Sequence, residues 1–343
     1  MFKEASKFSI LLISLIFLSG CGATIGNIAA YQPCDLSPCD VLPSAELLKS
    51  EKPKVVVFDF NENEIDTAEN AKLGKTIPGH VETQLAEGNA IDLVDRKVAE
   101  KLQQEIMMAE LEGTRVYDGP AVANFAISGS VDNAGFSNRF QEAYTTTDKK
   151  GNTYYHQAKF IYTAEVKGKI KIYEIPSMKV VKVISFSDSA QRNEETRNSR
   201  AGEVRDDELV RKAATDGIKS ARLELKNFFA RKGYILEKRT KDNNTIFKVS
   251  IGTDEGIKSG DTCQIFSVNK SVNPLTKEET VDEISLGEGR VSEQVGPNYA
   301  WLVVKEDELQ QAPRLGDFVK VTYKKGFGDV LNSTGKVLNA LAK

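Results

Sequence analysis

Residues 55–60, VVVFDF, constrain the fold of this 343-residue chain more than any other stretch. A continuous apolar run of this length is typical of a strand that is covered on both faces. Residues 90–94 (AIDLV) and 125–131 (FAISGSV) predict two further strands. A stretch with helical periodicity lies between each strand and the one before it. This order predicts an α/β (α+β) domain in which a mixed sheet is flanked by helices.

Two amphipathic helices are predicted between these strands. In the first, apolar residues recur every four positions and share one face: Leu73, Ile77, Val81 and Leu85. Pro78 lies within this stripe and has no backbone N–H, so we expect a kink or a late helix start. Asp95 is placed to cap the second helix. The predicted buried face of that helix comprises Val98, Leu102 and Ile106.

Two long strands, 159–175 and 179–187, follow around a turn that contains Pro176. Alternation predicts a solvated lysine face and a buried face formed by Val166, Ile170, Ile172, Val181 and Val183. A helix over 206–231 closes the domain, with Asp206 and Asp207 at its start. Its predicted core residues are Leu209, Ala213, Ala221, Leu225 and Phe228. The first domain therefore covers residues 53–233.

Residues 234–325 show short strands and tight turns, which is typical of a small all-β barrel. Two turns resemble each other, GIKSGD at 256–261 and RLGD at 314–317, and in both Gly and Asp suit turn geometry. Trp301 is predicted in the barrel core rather than as a binding anchor. Residues 326–343 have apolar residues at helical spacing and predict an amphipathic tail.

Composition and motifs argue against an enzyme. The chain has two His and four Cys, which leaves little material for a His/Cys metal site or a His triad. Its net charge of -3 disfavours nucleic acid as a partner. Gly74-Lys75-Thr76 lacks the earlier glycine of a phosphate loop. Asp59 is expected at a strand end bonded to backbone, and His80 and His156 in surface or capping roles. We predict no catalytic residue, cofactor or metal.

The N-terminus predicts export and lipidation. Residues 8–18 form an apolar run that is long enough for a signal peptide and too short to span a bilayer. Leu18-Ser19-Gly20-Cys21 resembles a bacterial lipobox, the alternative being an ordinary signal peptide. The resemblance implies cleavage after residues 1–20 and acylation, including palmitate, at Cys21. Gly22 then favours the periplasmic face of the outer membrane. Residues 21–52, with three prolines, predict a tether to the bilayer.

Three cysteines remain. Cys34 and Cys39 enclose four residues in what would be an oxidising compartment, which predicts either a small disulfide loop or two free thiols. Cys263 lies in a strand-like run and is expected to be a packed thiol.

The first domain resembles the CsgG family of outer-membrane lipoproteins, which are related to the curli secretion channel. The residues that carry this resemblance are 54–60, 79–110 and 121–131, and the match spans about 54–230. Through GIKSGD and LGD, the barrel resembles the C-terminal domain of flagellar H-ring proteins of the FlgT type. The two resemblances imply a periplasmic protein of a large envelope assembly, with other envelope proteins as partners.

The sequence departs from the channel pattern where the second membrane hairpin would fall. Residues 187–206 carry Glu194, Glu195, Arg197, Arg200 and Arg205 and leave no apolar row to face lipid. Residues 136–163 alternate better, but DKKGN forms a hydrophilic tip. We therefore predict no pore, one soluble β-hairpin at 136–163 and a mobile loop at 187–206.

Three functions follow from these observations. The leading hypothesis is a non-enzymatic structural or assembly component, a ring or scaffold of a secretion or flagellar system, that forms homo-oligomers. The first alternative is a curli-type secretion channel subunit. The second is an activator or ligand-binding lipoprotein of the cell envelope.

Overall fold

A computed structural model describes residues 24–48, 51–112, 116–197, 202–242 and 244–324. The predicted signal peptide, Cys21 and the predicted tail at 326–343 lie outside the described residues. No helix within the described ranges is long and apolar enough to cross a bilayer.

The chain is described in sequence order. A short segment comes first, with strand β1 (Gln32–Cys34) and helix α1 (Ala45–Leu48). The elements of the first domain are β2 (Lys54–Val57), α2 (Asp66–Ala71), α3 (Leu73–Ala86), β3 (Asp92–Val94), α4 (Glu100–Glu112), β4 (Phe125–Gln141), β5 (Tyr144–Thr147), β6 (Thr153–His156), β7 (Lys159–Glu174), β8 (Lys179–Glu195) and α5 (Asp207–Phe229).

A mixed sheet forms the centre of the first domain. Among the described residues its strand order is β3-β2-β4-β7-β8, with β2 parallel to β3 and β4, and β4, β7 and β8 antiparallel. Val55 and Val57 pack with residues of α3 and α5, whereas Val56 and Phe58 pack with residues of α4 on the other face. Burial of β2 on both faces, as VVVFDF predicts, is confirmed.

Helix α3 carries the predicted buried stripe and continues through Pro78. It begins at Leu73 because Lys72 adopts a left-handed conformation (φ 54°) and separates α3 from α2. Pro78 cannot donate to the carbonyl of Gly74, four residues earlier. That carbonyl instead accepts the backbone N–H of Phe60 at 2.9 Å, so the break in the helical bonding joins α3 to the end of β2.

The predicted face of the next helix is wrong at one position. Val98 lies in a 3₁₀ turn before α4 and is 65% exposed. Ala99 faces the core in its place, together with Leu102 and Ile106. Asp95 caps this turn by accepting a backbone N–H two residues later at 2.8 Å. The tighter 3₁₀ winding before α4 rotates Val98 away from the inward face.

The predicted burial of Val181 and Val183 is also wrong. The register between β7 and β8 shifts at Ile172/Tyr173, which leaves Val181 as an extra residue on β8. Val183 lies opposite Lys171, on the face away from α5. Both valines are exposed, and Ile184 takes the buried position.

The predicted loop at 187–206 is in part a strand. β8 continues through Glu195 and pairs with β7 along this length. Arg192, which lies within β8, forms ion pairs with Glu203 at 2.8 Å and Asp206 at 2.9 Å, and these pairs tie the strand to the start of α5. The hairpin expected within 136–163 is present as β5 and β6, which pair with each other.

The second domain is a closed barrel, as predicted. Its strands are β9 (Lys232–Lys241), β10 (Asn244–Val249), β11 (Thr262–Val272), β12 (Glu279–Val295), β13 (Ala300–Val304) and β14 (Phe318–Val321). Neighbouring strands pair antiparallel in the order β9-β10-β13-β12-β11-β14, and β14 pairs with β9 to close the barrel. The interior contains Phe247, Ile265 and Leu302.

The two similar turns share one geometry. Gly260 and Gly316 have positive φ angles of 90° and 87°, which glycine adopts without strain. Asp261 accepts the backbone N–H three residues before it at 2.8 Å, and Asp317 does the same at 2.7 Å. The turn interpretation of both motifs is therefore confirmed.

The segment predicted as a free tether lies against the barrel. β1 pairs with β9 over residues 238–240, beyond the stretch of β9 that pairs with β14. Trp301 is buried, but on the outside of the barrel, where it packs with Ile25, Tyr31 and Ile246. This packing removes Ile25 and Tyr31 from water together with the outer face of the barrel.

The end of α5 joins the two domains. The Asn227 side chain donates to the carbonyl of Tyr323 at 3.1 Å and accepts its N–H at 2.8 Å. Arg231 lies 3.6 Å from Glu255.

Candidate interaction surface

Helix α4 carries apolar residues on two faces. Leu102 and Ile106 are buried against the sheet, whereas Met107, Met108 and Leu111 are exposed, Leu111 to 86%. A helix that is apolar on opposite sides is usually covered on both. The outer face of α4 is therefore a candidate for contact with another protein.

Strand β8 forms the long open edge of the sheet. Within the described part of the chain no strand pairs with its outer edge, and β8 is 17 residues long. An edge of this length offers a row of unpaired backbone N–H and C=O groups to another strand. Val180, Val181 and Val183 are exposed near its start.

These two features meet on one side of the domain. Glu110 of α4 contacts Lys171 at 2.7 Å and accepts the hydroxyl of Tyr173. Lys171 and Tyr173 are paired in register with Val183 and Val180. We call the exposed residues of both elements the α4–β8 surface; its members are Met107, Met108, Leu111, Val180, Val181 and Val183.

Glu110 and Lys171, which lie between α4 and β8, are paired with each other. Burial acts to raise the pKa of Glu110, but hydrogen bonds from Lys171 and Tyr173 and the Lys171 charge outweigh it and lower the pKa. Burial and the bond to Glu110 raise the pKa of Tyr173. Because these groups satisfy one another, the apolar side chains are what the surface offers to a partner.

A polar cleft of about 500 Å³ lies at the carboxyl end of β2. The chain crosses from β2 to β3 on one side and then, through α4, from β3 to β4 on the other side of β2; such a switch point is where open α/β sheets bind ligands. The cleft is lined by Asp59, Gln103 and Ser128, among others. The charged residues that line the cleft are paired: Asp59 lies 2.5 Å from Arg96, and Glu110 lies 2.7 Å from Lys171.

The polar residues singled out in the sequence lie on separate elements. Asp59 is exposed and paired with Arg96, not bonded to backbone as predicted. His80 Nε2 lies 2.9 Å from Thr215 Oγ1 between α3 and α5, and burial followed by the Lys219 charge lowers its pKa. His156 stacks on Tyr144 in the β5–β6 hairpin.

No chemical centre is assembled from these residues. Lys75 of the GKT motif is exposed on α3. Within the described ranges there is no group of three or more His, Cys, Asp or Glu that could hold a metal ion.

Cys34 and Cys39 are both free thiols in the structure. The Cys34 Sγ lies 3.2 Å from the Thr240 hydroxyl on β9, because β1 is paired there. Cys39 is buried with its Sγ 3.2 Å from the Val41 carbonyl. Cys263 is a packed thiol, as predicted, and burial raises its pKa to about 12.

No protein-family profile and no curated protein matches this sequence. Similar solved structures include a PelC dodecamer from Paraburkholderia phytofirmans, with 15% identity, 53% coverage of this chain, 91% coverage of that one and a TM-score of 0.22. A hypothetical protein from Chlamydia trachomatis has 12% identity, coverages of 52% and 98%, and a TM-score of 0.27. A lipoprotein from Neisseria meningitidis has 12% identity, coverages of 49% and 99%, and a TM-score of 0.21.

The α4–β8 surface was not predicted from the sequence. The MMAEL run at 107–111 was a usable signal, since it places apolar residues on both sides of a helix. The edge position of β8 has no local signal, because strand order depends on pairings made far apart in the chain.

Proposed function

We propose that this chain is an outer-membrane lipoprotein, anchored through Cys21 at the periplasmic face, that serves as a non-catalytic assembly component of an envelope machine. The lipobox resemblance supports the anchor, and the resemblances to the CsgG family and FlgT support the type of assembly. The α4–β8 surface is the observation that carries the structural role.

The partner at the α4–β8 surface is a second copy of this chain or another envelope protein. The exposed side chains are apolar, and Glu110 and Lys171 beside them are already paired with each other, so burying these two charges adds little electrostatic cost. The open edge of β8 allows a contact by backbone hydrogen bonds as well as by side chains.

The test is the assembly state of the full-length protein, extracted in detergent and measured by mass photometry. Wild type should form oligomers or retain an envelope partner, and Val183→Lys should reduce this at least tenfold. The matched control is Val281→Lys on β12, since Val183 is 48% and Val281 54% exposed. A monomer without crosslinked neighbours in intact cells would refute the proposal.

The cleft at the carboxyl end of β2 favours ligand binding as the second candidate function. Its volume is in the range of small-molecule sites, and the Gln103 and Ser128 side chains form no hydrogen bond with other residues that the structure describes. Thermal shift against nucleotides and glycans tests it, with Ser128→Trp to fill the cleft. A saturable shift that this variant abolishes would support ligand binding.

A further inference from the structure

The chain is held on the barrel almost immediately after the predicted anchor. Ile25 is 8% exposed and lies in an apolar cluster with Tyr31, Ile246 and Trp301 on the outside of the barrel. Ile28 packs against the same cluster. The contact therefore begins four residues after Cys21.

Hydrogen bonds hold the backbone at the same place. The Glu293 carboxylate on β12 accepts the N–H of Ile25 at 3.0 Å and the N–H of Gly26 at 2.7 Å. Gln294 donates to the Gly26 carbonyl at 3.3 Å. Bonds between backbone donors and a carboxylate are stronger than those between neutral groups. We call the contacts of Ile25 and Gly26 with Glu293 and Trp301 the N-terminal clasp.

The following residues stay attached to the same domain. β1 pairs with β9, the Cys39 N–H donates to the Leu315 carbonyl at 2.9 Å, and Asp40 lies 3.1 Å from Arg314. The contacts from residue 25 to residue 40 thus leave little of the predicted tether free to separate the barrel from the anchor.

Chain length sets how far the clasp can lie from the membrane. Four residues in extended conformation span at most about 14 Å. A free flexible tether of roughly 30 residues would have a mean end-to-end distance of about 30 Å. The distance from Cys21 to Ile25 is therefore less than half of that expected for the free tether.

We propose that the N-terminal clasp docks the β-barrel, by its Glu293–Trp301 face, against the lipid surface that holds the acyl chains of Cys21. The inference rests on the proposed lipidation of Cys21. Docking makes the barrel the domain nearest the membrane. The first domain, which carries the α4–β8 surface, is then joined to the membrane through the barrel rather than through a free tether.

Trp301 is the single tryptophan of the chain and lies in the clasp, so it reports this distance directly. The experiment measures energy transfer from Trp301 to dansyl-labelled phospholipid in phosphatidylethanolamine/phosphatidylglycerol vesicles that carry full-length, lipidated protein. The test variant has a Gly-Ser linker of about 20 residues between Ala23 and Thr24. A linker of this length has a mean end-to-end distance of roughly 25 Å, which separates the anchor from the clasp.

The linker variant should lose at least half of the wild-type transfer efficiency. The same linker inserted between Leu275 and Thr276, in the β11–β12 turn, is the control and should leave transfer unchanged. Glu293→Ala should lower transfer, whereas Glu288→Ala on the same strand should not. Equal transfer in wild type and in the Ala23–Thr24 variant would overturn docking.

Vesicle flotation separates this inference from the proposed function. Wild type should float with the vesicles and Cys21→Ala should not. If wild type stays in solution, the lipid anchor is wrong and docking falls with it. If wild type floats and the linker has no effect, the anchor stands and only the docking of the barrel is refuted.

Discussion

Replacing Asp317 by alanine should unfold the barrel at a much lower urea concentration than the same change at Asp261. Both residues occupy the last position of the two similar turns, but Asp317 is fully buried and its carboxylate has more partners. Its Oδ1 accepts the N–H of Val268 at 3.0 Å, and its Oδ2 accepts that of Arg314 at 2.7 Å. The carboxylate also lies 3.5 Å from the Arg314 guanidinium.

The expected loss follows from these contacts. Each hydrogen bond to a charged group contributes about 1.5–3 kcal/mol, and removal of one partner from a buried ion pair costs about 3–5 kcal/mol. Because the contacts share one carboxylate, their energies do not add in full, and we expect about 3–5 kcal/mol for Asp317→Ala. Asp261 accepts one N–H, from Lys258 at 2.8 Å, and is only half-buried, so water can replace the lost partner and Asp261→Ala should cost about 1 kcal/mol.

Fluorescence of Trp301 during urea titration measures the stability of the barrel, because Trp301 lies on its outer face. At an m-value of about 2 kcal/mol/M, the midpoint should fall by about 1.5–2.5 M for Asp317→Ala and by about 0.5 M for Asp261→Ala. Asp317→Asn retains one carbonyl oxygen and should lie between. Equal midpoints for the two alanine variants would refute the argument from burial.

Three further predictions follow from buried groups. In Gly74→Ala the new Cβ would lie 2.6 Å from the Phe60 carbonyl oxygen, so the variant should lose about 1–3 kcal/mol in chemical unfolding; a neutral result would contradict the close approach. Because burial lowers the pKa of His80, its contribution to stability is present above the unfolded pKa of about 6.5 and is lost as pH falls through the folded pKa. In thermal melts at a series of pH values, His80→Gln should lose less stability at low pH than wild type. An unchanged pH profile in this variant would contradict the prediction. Cys263 should resist N-ethylmaleimide in the folded protein while Cys34 reacts, and mass spectrometry detects which cysteine is modified. If the protein is unfolded without reductant and three thiols then react, Cys34 and Cys39 are unpaired.

Local patterns predicted most elements of this fold. The continuous apolar run of β2 requires cover on both faces, and the four-residue spacing of α3 fixes its buried side, so both features follow from side-chain periodicity alone. The repeated turn motifs were predictable because glycine and aspartate have specific roles in turns. Val98 and Val183 were misplaced because a 3₁₀ turn and a β-bulge change the periodicity locally.

The candidate sites were less predictable than the elements. The cleft at the carboxyl end of β2 depends on the order β3-β2-β4, and the α4–β8 surface depends on which strand ends at the edge of the sheet. Neither is encoded in the spacing of nearby residues. The position of Trp301 could not be predicted for a similar reason. Trp301 lies on the outer face of its strand and is buried there because a distant segment of the chain covers that face.

Residue patterns alone predict the α/β domain, the barrel that follows it, and a lipid anchor at Cys21, because each depends on periodicity or on a short local motif. The position of residues 24–43, the open edge of the sheet and the side of the barrel that carries Trp301 emerge only from long-range packing. These features depend on contacts between residues that are far apart in sequence, such as Ile25 with Glu293, and burial and hydrogen bonding fix them only once the chain has folded.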